Sequence, residues 1–318
     1  MAARFNVSIH RLEEAELYLT AIAHHAIVKD DLRAGARLLA AQIALARGDY
    51  EAARGVLEEF AAAKPELVAE LAIYYAQTGH PEKAEELYKK AFDQTKPSDG
   101  RRRAWIRLQL GLLAIEHGRY EDALRTLNYA NRDLPGWWFV EEPIAETFTL
   151  LDRDIDAVPL YEKVAHDTGL PQHQDALAAL YARLGRNEEA RDLVARAGAA
   201  WEKELAELPE AAMGHGLEHY LRYGTPEQAL ELAKRNYSLR PGGEAQVGLA
   251  RAYLKAGQPQ AAIEVVERAL QTPYRSAALH DTARQAYSAA GRLEEAGKQV
   301  DLCFALNPRF KGSHSHPH

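Results

Sequence analysis

Cysteine is nearly absent from this chain of 318 residues, and the single Cys303 excludes an internal disulfide framework. No run of the sequence approaches the ~18 apolar residues that a membrane-spanning helix needs, so membrane insertion is not expected. The opening Met1-Ala2-Ala3-Arg4-Phe5-Asn6 has no signal-peptide hydrophobic region. Cytoplasmic residence is the expectation, with export after signal removal as the alternative. No glycine-rich phosphate loop, nucleophile elbow or strand pattern able to support either is present. Catalysis is therefore not expected, and neither is a cofactor. Positive charge is also in deficit: 39 Lys and Arg stand against 46 Asp and Glu, for a net charge of -7. That balance argues against nucleic acid as a partner.

What the chain does have is a recurring phrase. Gly118-Arg119-Tyr120-Glu121-Asp122-Ala123 returns around Gly48, Gly79, Gly185, Gly224, Gly257 and Gly291, and an eighth copy, Asp152-Arg153-Asp154-Ile155-Asp156-Ala157, lacks the glycine. Its anchor alanines are Ala53, Ala84, Ala123, Ala157, Ala190, Ala229, Ala262 and Ala296, separated by 31, 39, 34, 33, 39, 33 and 34 residues. Steps in that range mark stacked helix hairpins. The glycine ends one helix in a left-handed cap, and Asn, Thr-Pro or Asp-Tyr-Glu opens the next.

Twelve residues before the anchors stand Ala41, Ala72, Gly111, Ala145, Ala178, Leu217, Ala250 and Arg284, mostly small, as close helix approach requires. Nine before them, aromatic residues recur: Tyr75, Phe148, Tyr181, Tyr220, Tyr253 and Tyr287. Pro65, Pro135, Pro241 and Pro308 follow twelve after their anchors, where a helix should stop. The first 39-residue step contains a surface loop over 94–100, and the second predicts a longer helix near Trp201. Cys303, seven after Ala296, falls on a core position and reads as a small buried apolar group.

In register over most of its length, the chain resembles the tetratricopeptide repeat family, with about eight units over roughly 34–310. The resemblance implies an all-α, right-handed superhelix, or α-solenoid, whose first helices line a concave groove for a peptide or partner protein. Residues 1–312 then form one array, with a half-repeat or capping helix over 7–29 and a disordered His-containing tail over 313–318. Contacts confined to neighbouring units would let such an array flex as a spring.

In the family, the inward-facing positions lie eighteen, fifteen, eleven, eight and seven before each anchor. They give Ile73 in the second unit, Trp105, Leu108, Leu112 and Ile115 in the third, and Phe139, Glu142 and Glu146 in the fourth. Trp138 adds to an aromatic run, Trp137-Trp138-Phe139, too wide for one helix face, so part of it should be exposed or partner-covered. A groove apolar in one unit and acidic beside it suits a protein or peptide with apolar anchors and basic residues. The paired Lys and Asn by which some family members grip a C-terminal carboxylate are not found at the corresponding positions.

Two other readings stand beside the scaffold. His215 and His219 share a helix face and could hold a metal with help from the His-rich tail, making a metal-binding or metal-delivery protein. Alternatively, terminal repeats of different chains could stack, making a self-assembling structural protein.

Overall fold

The computed structural model describes residues 2–24, 29–64 and 67–312. Of the described residues 82% are helical, and they form 18 helices. A short pair, α1 (Ala2–Ser8) and α2 (Leu12–His24), occupies the region read as a half-repeat. Unit one is α3 (Asp30–Ala46) and α4 (Tyr50–Ala63), unit two is α5 (Val68–Gln77) and α6 (Pro81–Gln94), and unit three is α7 (Gly100–Glu116) and α8 (Tyr120–Asp133). Unit four is α9 (Trp138–Leu150) and α10 (Asp154–Thr168), unit five α11 (Pro171–Arg183) and α12 (Asn187–Glu207), and unit six α13 (Pro209–Arg222) and α14 (Pro226–Leu239). Unit seven is α15 (Gly243–Lys255) and α16 (Pro259–Gln271), and unit eight α17 (Ala277–Ala289) and α18 (Leu293–Leu306). The 21-residue α12 is the long helix that the second extended step predicts. The tail over 313–318 and the stop at Pro65 lie outside the described residues.

Every anchor alanine is buried, six of them to 0% exposure. Their small facing partners explain why. At Gly111 an added Cβ would stand 2.6 Å from the Leu127 side chain, so α7 and α8 approach too closely there for even a methyl group. Cys303 is buried, and burial pushes its thiol up to about 11, consistent with a packing role.

The turns obey the sequence reading with two departures. Asp152, which replaces the missing glycine of unit four, takes the left-handed conformation itself at φ 58°. A short polar side chain tolerates that region better than most, at a cost of roughly 1–2 kcal/mol. Gly224, by contrast, does not have a positive φ. Thr225 instead opens α14 with a reciprocal capping box to Gln228.

The expectation that units touch only their neighbours is wrong for this chain. The superhelix closes on itself after six units, so the turn of each early hairpin docks on the start of the hairpin six units later. Arg11, after the α1–α2 turn, lies 3.5 Å from Glu210 at the start of α13. Tyr50, after the turn of unit one, accepts a hydrogen bond at its hydroxyl from the Gly243 N–H at 3.1 Å and stacks on Tyr274 at 6.5 Å. At the turn of unit two, the Arg275 N–H donates to the carbonyl of Gln77, the last residue of α5, at 2.9 Å.

At unit three, His117 Nδ1 meets the Leu306 carbonyl at 2.9 Å, and the Tyr120 hydroxyl donates to the Arg309 carbonyl at 3.1 Å. Lys311 reaches unit four, 2.8 Å from Asp152. Because of this seam, one apolar core runs through units one to three and six to eight, while units four and five keep a smaller core of their own.

Candidate binding pocket on the concave face

The first helices line the inside of the coil, and across units four to seven they enclose a pocket of about 360 Å³. Its wall repeats the inward register. Glu146, Ala179, Glu218 and Arg251 stand eleven before their anchors, Arg183 and Arg222 seven before, and Thr149 and Leu221 eight before. Most of the polar groups are held from within the wall. Asp175 accepts from Trp201 Nε1 and from the His219 ring, each at 2.8 Å. Arg251 makes a two-pronged pair with Glu218 at 2.5 and 3.0 Å. Arg183 lies 3.0 Å from Asp154.

Glu146 is the exception. It is 7% exposed, and its Oε2 is buried without a hydrogen-bond partner. Glu142 lies one helical turn away on α9 and is also buried. Burial, with the like charge of Glu142 beside it, holds the Glu146 carboxyl well above the usual carboxylate range. Tyr161, fully enclosed below the two, is driven up by burial and by both carboxylates.

Outside this pocket two further acids are shifted. Crowding by surrounding protein, with Glu244 nearby, raises Glu116 to about 7, although the residue itself is solvent-exposed. Burial likewise raises Glu70, which accepts from Gln42 at 3.2 Å. Next to the seam, burial and the charge of Arg240 press His10 down to about 4.

The residues expected to face a partner divide between roles. Leu108 is buried between hairpins against Leu127, Ala130, Val140 and Ile144, with Leu112 and Ile115 half-buried against the same cluster. Ile73 and Trp105 are half-buried against the main core. In the aromatic run Phe139 is 48% exposed and stacks at 3.7 Å on half-buried Trp138, whose ring meets His173 edge-on.

Of the expected set, Glu146 lines the pocket, with Glu142 beside it, while Leu108, Leu112 and Ile115 pack into the cluster against α9 and Ile73 and Trp105 against the main core. The pocket's other walls, from units five to seven, were legible in the same register, since Asp175, Glu218 and Arg251 occupy inward positions. His215 and His219 also line the pocket, but His219 is held by Asp175 through Nδ1. No group of three potential metal ligands occurs among the described residues. An outer hollow of about 490 Å³ beside Leu124 and Leu151 is bordered by the exposed polar side chains of Glu121, Arg125, Asn128 and Arg153. No described helix is long and apolar enough to cross a membrane.

Family models of the tetratricopeptide repeat match residues 8–68, 69–136 and 218–278, and a further such model matches 171–196. No curated protein matches the chain by sequence. Among solved structures, yeast Tom70 is similar at a TM-score of 0.50 and 17% identity, over 89% of this chain and 62% of that one. A hetero-tetramer of the APC/C, Cut9–Hcn1, gives 0.48 and 15% identity over 94% of this chain, which spans only 57% of the length of that one. A tetratricopeptide repeat protein from Parabacteroides merdae gives 0.45 and 17%, over 75% of this chain and 91% of that one. With matches to the repeat model over more than half its length, and hairpins in the register that the model describes, the chain belongs to the tetratricopeptide repeat family.

Proposed function

We propose that the protein is a non-catalytic interaction scaffold that holds a partner protein or peptide on its concave face. The observation that carries this reading is the pocket itself, since successive first helices converge on one concavity through the positions that face inward. The partner fits as a segment with apolar anchors and basic residues. Its basic residues face the acidic inner wall of Glu142, Glu146 and Glu116, while its apolar anchors meet the side of the groove near Trp105, Trp138 and Phe139.

A photo-crosslinking residue placed at Gln172, on the pocket wall, is expected to capture a partner in cells, whereas the same group at Ile155, 74% exposed on the outer face, is not. Capture from the outer position alone refutes the concave site.

Self-association has one observation in its favour. On α18, Leu293 and Phe304 are 71% and 48% exposed on one face, whereas the residue corresponding to Phe304 in α16, Leu270, packs into the core. Light scattering over a concentration series, with and without Phe304→Asp, decides that reading.

A further inference from the structure

On α9, the Oε2 of Glu146 is buried without a hydrogen-bond partner. A carboxylate more than nine-tenths buried, with an oxygen lacking any partner, is costly unless something else satisfies it. The fold leaves Glu146 in this state at the wall of a cavity open to a ligand, while every neighbouring acid in that cavity, Asp175 and Glu218, has its own donors. At about 360 Å³ the cavity lies at the small end of the ~300–1,000 Å³ range of ligand pockets, suited to one long side chain rather than a folded surface.

We propose that this pocket is a proton-for-cation exchange site: the ammonium of a lysine or the guanidinium of an arginine enters, takes Glu146 as its acceptor, and expels to solvent the proton that the carboxyl pair keeps while the pocket is empty. This rests on the scaffold reading, and it assigns one partner side chain to one acceptor. The balance is simple. One cation enters, one O–H bond on the carboxyl pair is broken, and the proton leaves to buffer, so the charge of the site is unchanged.

The surroundings support an exchange rather than a permanent anion. Glu142 on the same helix repels a second negative charge, and Tyr161 from α10 and Tyr120 from α8 feel the carboxylate. From α11 come Arg183, paired outward with Asp154, and Asp175, bound to His219. From α13 come His215, Glu218 and Arg222, and from α15 Arg251, tied to Glu218. Unit three meets α9 through apolar side chains, Leu108 among them. Burial and the like charge of Glu142 raise the Glu146 carboxyl and so favour its protonated form while the pocket is empty, and an arriving cation reverses that preference.

The test uses the full chain and two probes, N-acetyl-arginine amide and its neutral isostere N-acetyl-citrulline amide, followed by ligand-observed NMR from pH 5.5 to 8.5. The arginine probe is expected to bind more tightly as pH rises, by up to tenfold per unit, as release of one proton requires. The citrulline probe is expected to bind at least tenfold more weakly. Glu146→Gln should abolish arginine binding while leaving the circular dichroism spectrum unchanged. Glu142→Gln should retain binding and move the pH dependence to lower pH, because the like charge is gone.

Equal binding of the two probes, pH-independent arginine binding, or undiminished binding by Glu146→Gln each overturns the proposal. If Gln172 crosslinks a partner but the arginine probe fails these tests, the exchange site is wrong and the scaffold stands. Glu146-dependent arginine binding with no crosslink from the concave face supports the site and removes the scaffold.

Discussion

Replacing Tyr50 with Phe isolates the contribution of the seam. The hydroxyl of Tyr50 accepts the N–H of Gly243, the first residue of α15, 193 positions along the chain. That N–H is one of the donors a helix start cannot satisfy by itself, and Gly242, its N-cap, supplies no side chain to do so. Phenylalanine keeps the ring stacked on Tyr274 and removes only the acceptor. A buried donor left without a partner costs about 1–3 kcal/mol, which at 1.4 kcal/mol per tenfold raises the local opening equilibrium by about 5- to 150-fold.

Native-state amide exchange read by mass spectrometry, under conditions where exchange reports the opening equilibrium, measures this directly. Peptides covering 46–50 and 241–245 should exchange faster in Tyr50→Phe, while those covering 190–201 in unit five, away from the seam, should not change. Unchanged exchange on both sides of the seam refutes the idea that contacts between units six apart carry stability. An equal acceleration everywhere refutes the claim that their effect is local.

Three further perturbations test other parts of the argument. Gly243→Ala would place a methyl group 2.1 Å from the Tyr274 ring, which must then move off its stack on Tyr50, so amide exchange over 46–50 should accelerate at nearly unchanged helix content. Glu116 titrates near 7 when folded and near 4.5 when unfolded, so the fold is favoured by its protonation below 4.5 and loses that advantage as pH rises through 7. Thermal melts of Glu116→Gln should therefore match the wild type near pH 4.5 and exceed it increasingly up to about pH 8. Asp175→Ala strands two donors, Trp201 Nε1 and the His219 ring, and should cost roughly 1–3 kcal/mol for each in chemical denaturation of units five and six.

The sequence made the hairpins legible because their signals are local. A small residue at Ala53 or Ala262, a glycine at the turn and an aromatic nine before the anchor all act within about thirty residues, and each sits where its register requires. The seam was not legible, because Gly243 meets Tyr50 only after six hairpins have each rotated the chain by a fixed amount. No residue pattern states that angle.

For the pocket, the acids at Glu142 and Glu146 were visible in the register, but not their burial, which comes from opposing walls contributed by units five to seven. Leu108 looked like groove for the same reason. Its position faces inward on a single hairpin, yet Val140 and Ile144 of the following one cover it.

Self-closure also ties the length of the array to its shape. In an open solenoid a unit can be duplicated or lost with only a change in reach, since each hairpin knows only its neighbours. Here, deleting unit four would leave every local interface replaceable, but it would bring Tyr50 opposite a different part of the coil from Gly243 and put Gln77 out of step with Arg275. All the long-range contacts would fail together. The number of units between partners across the seam is therefore fixed as firmly as the teeth between two meshing gears, and variation in repeat count is tolerated only outside that interval.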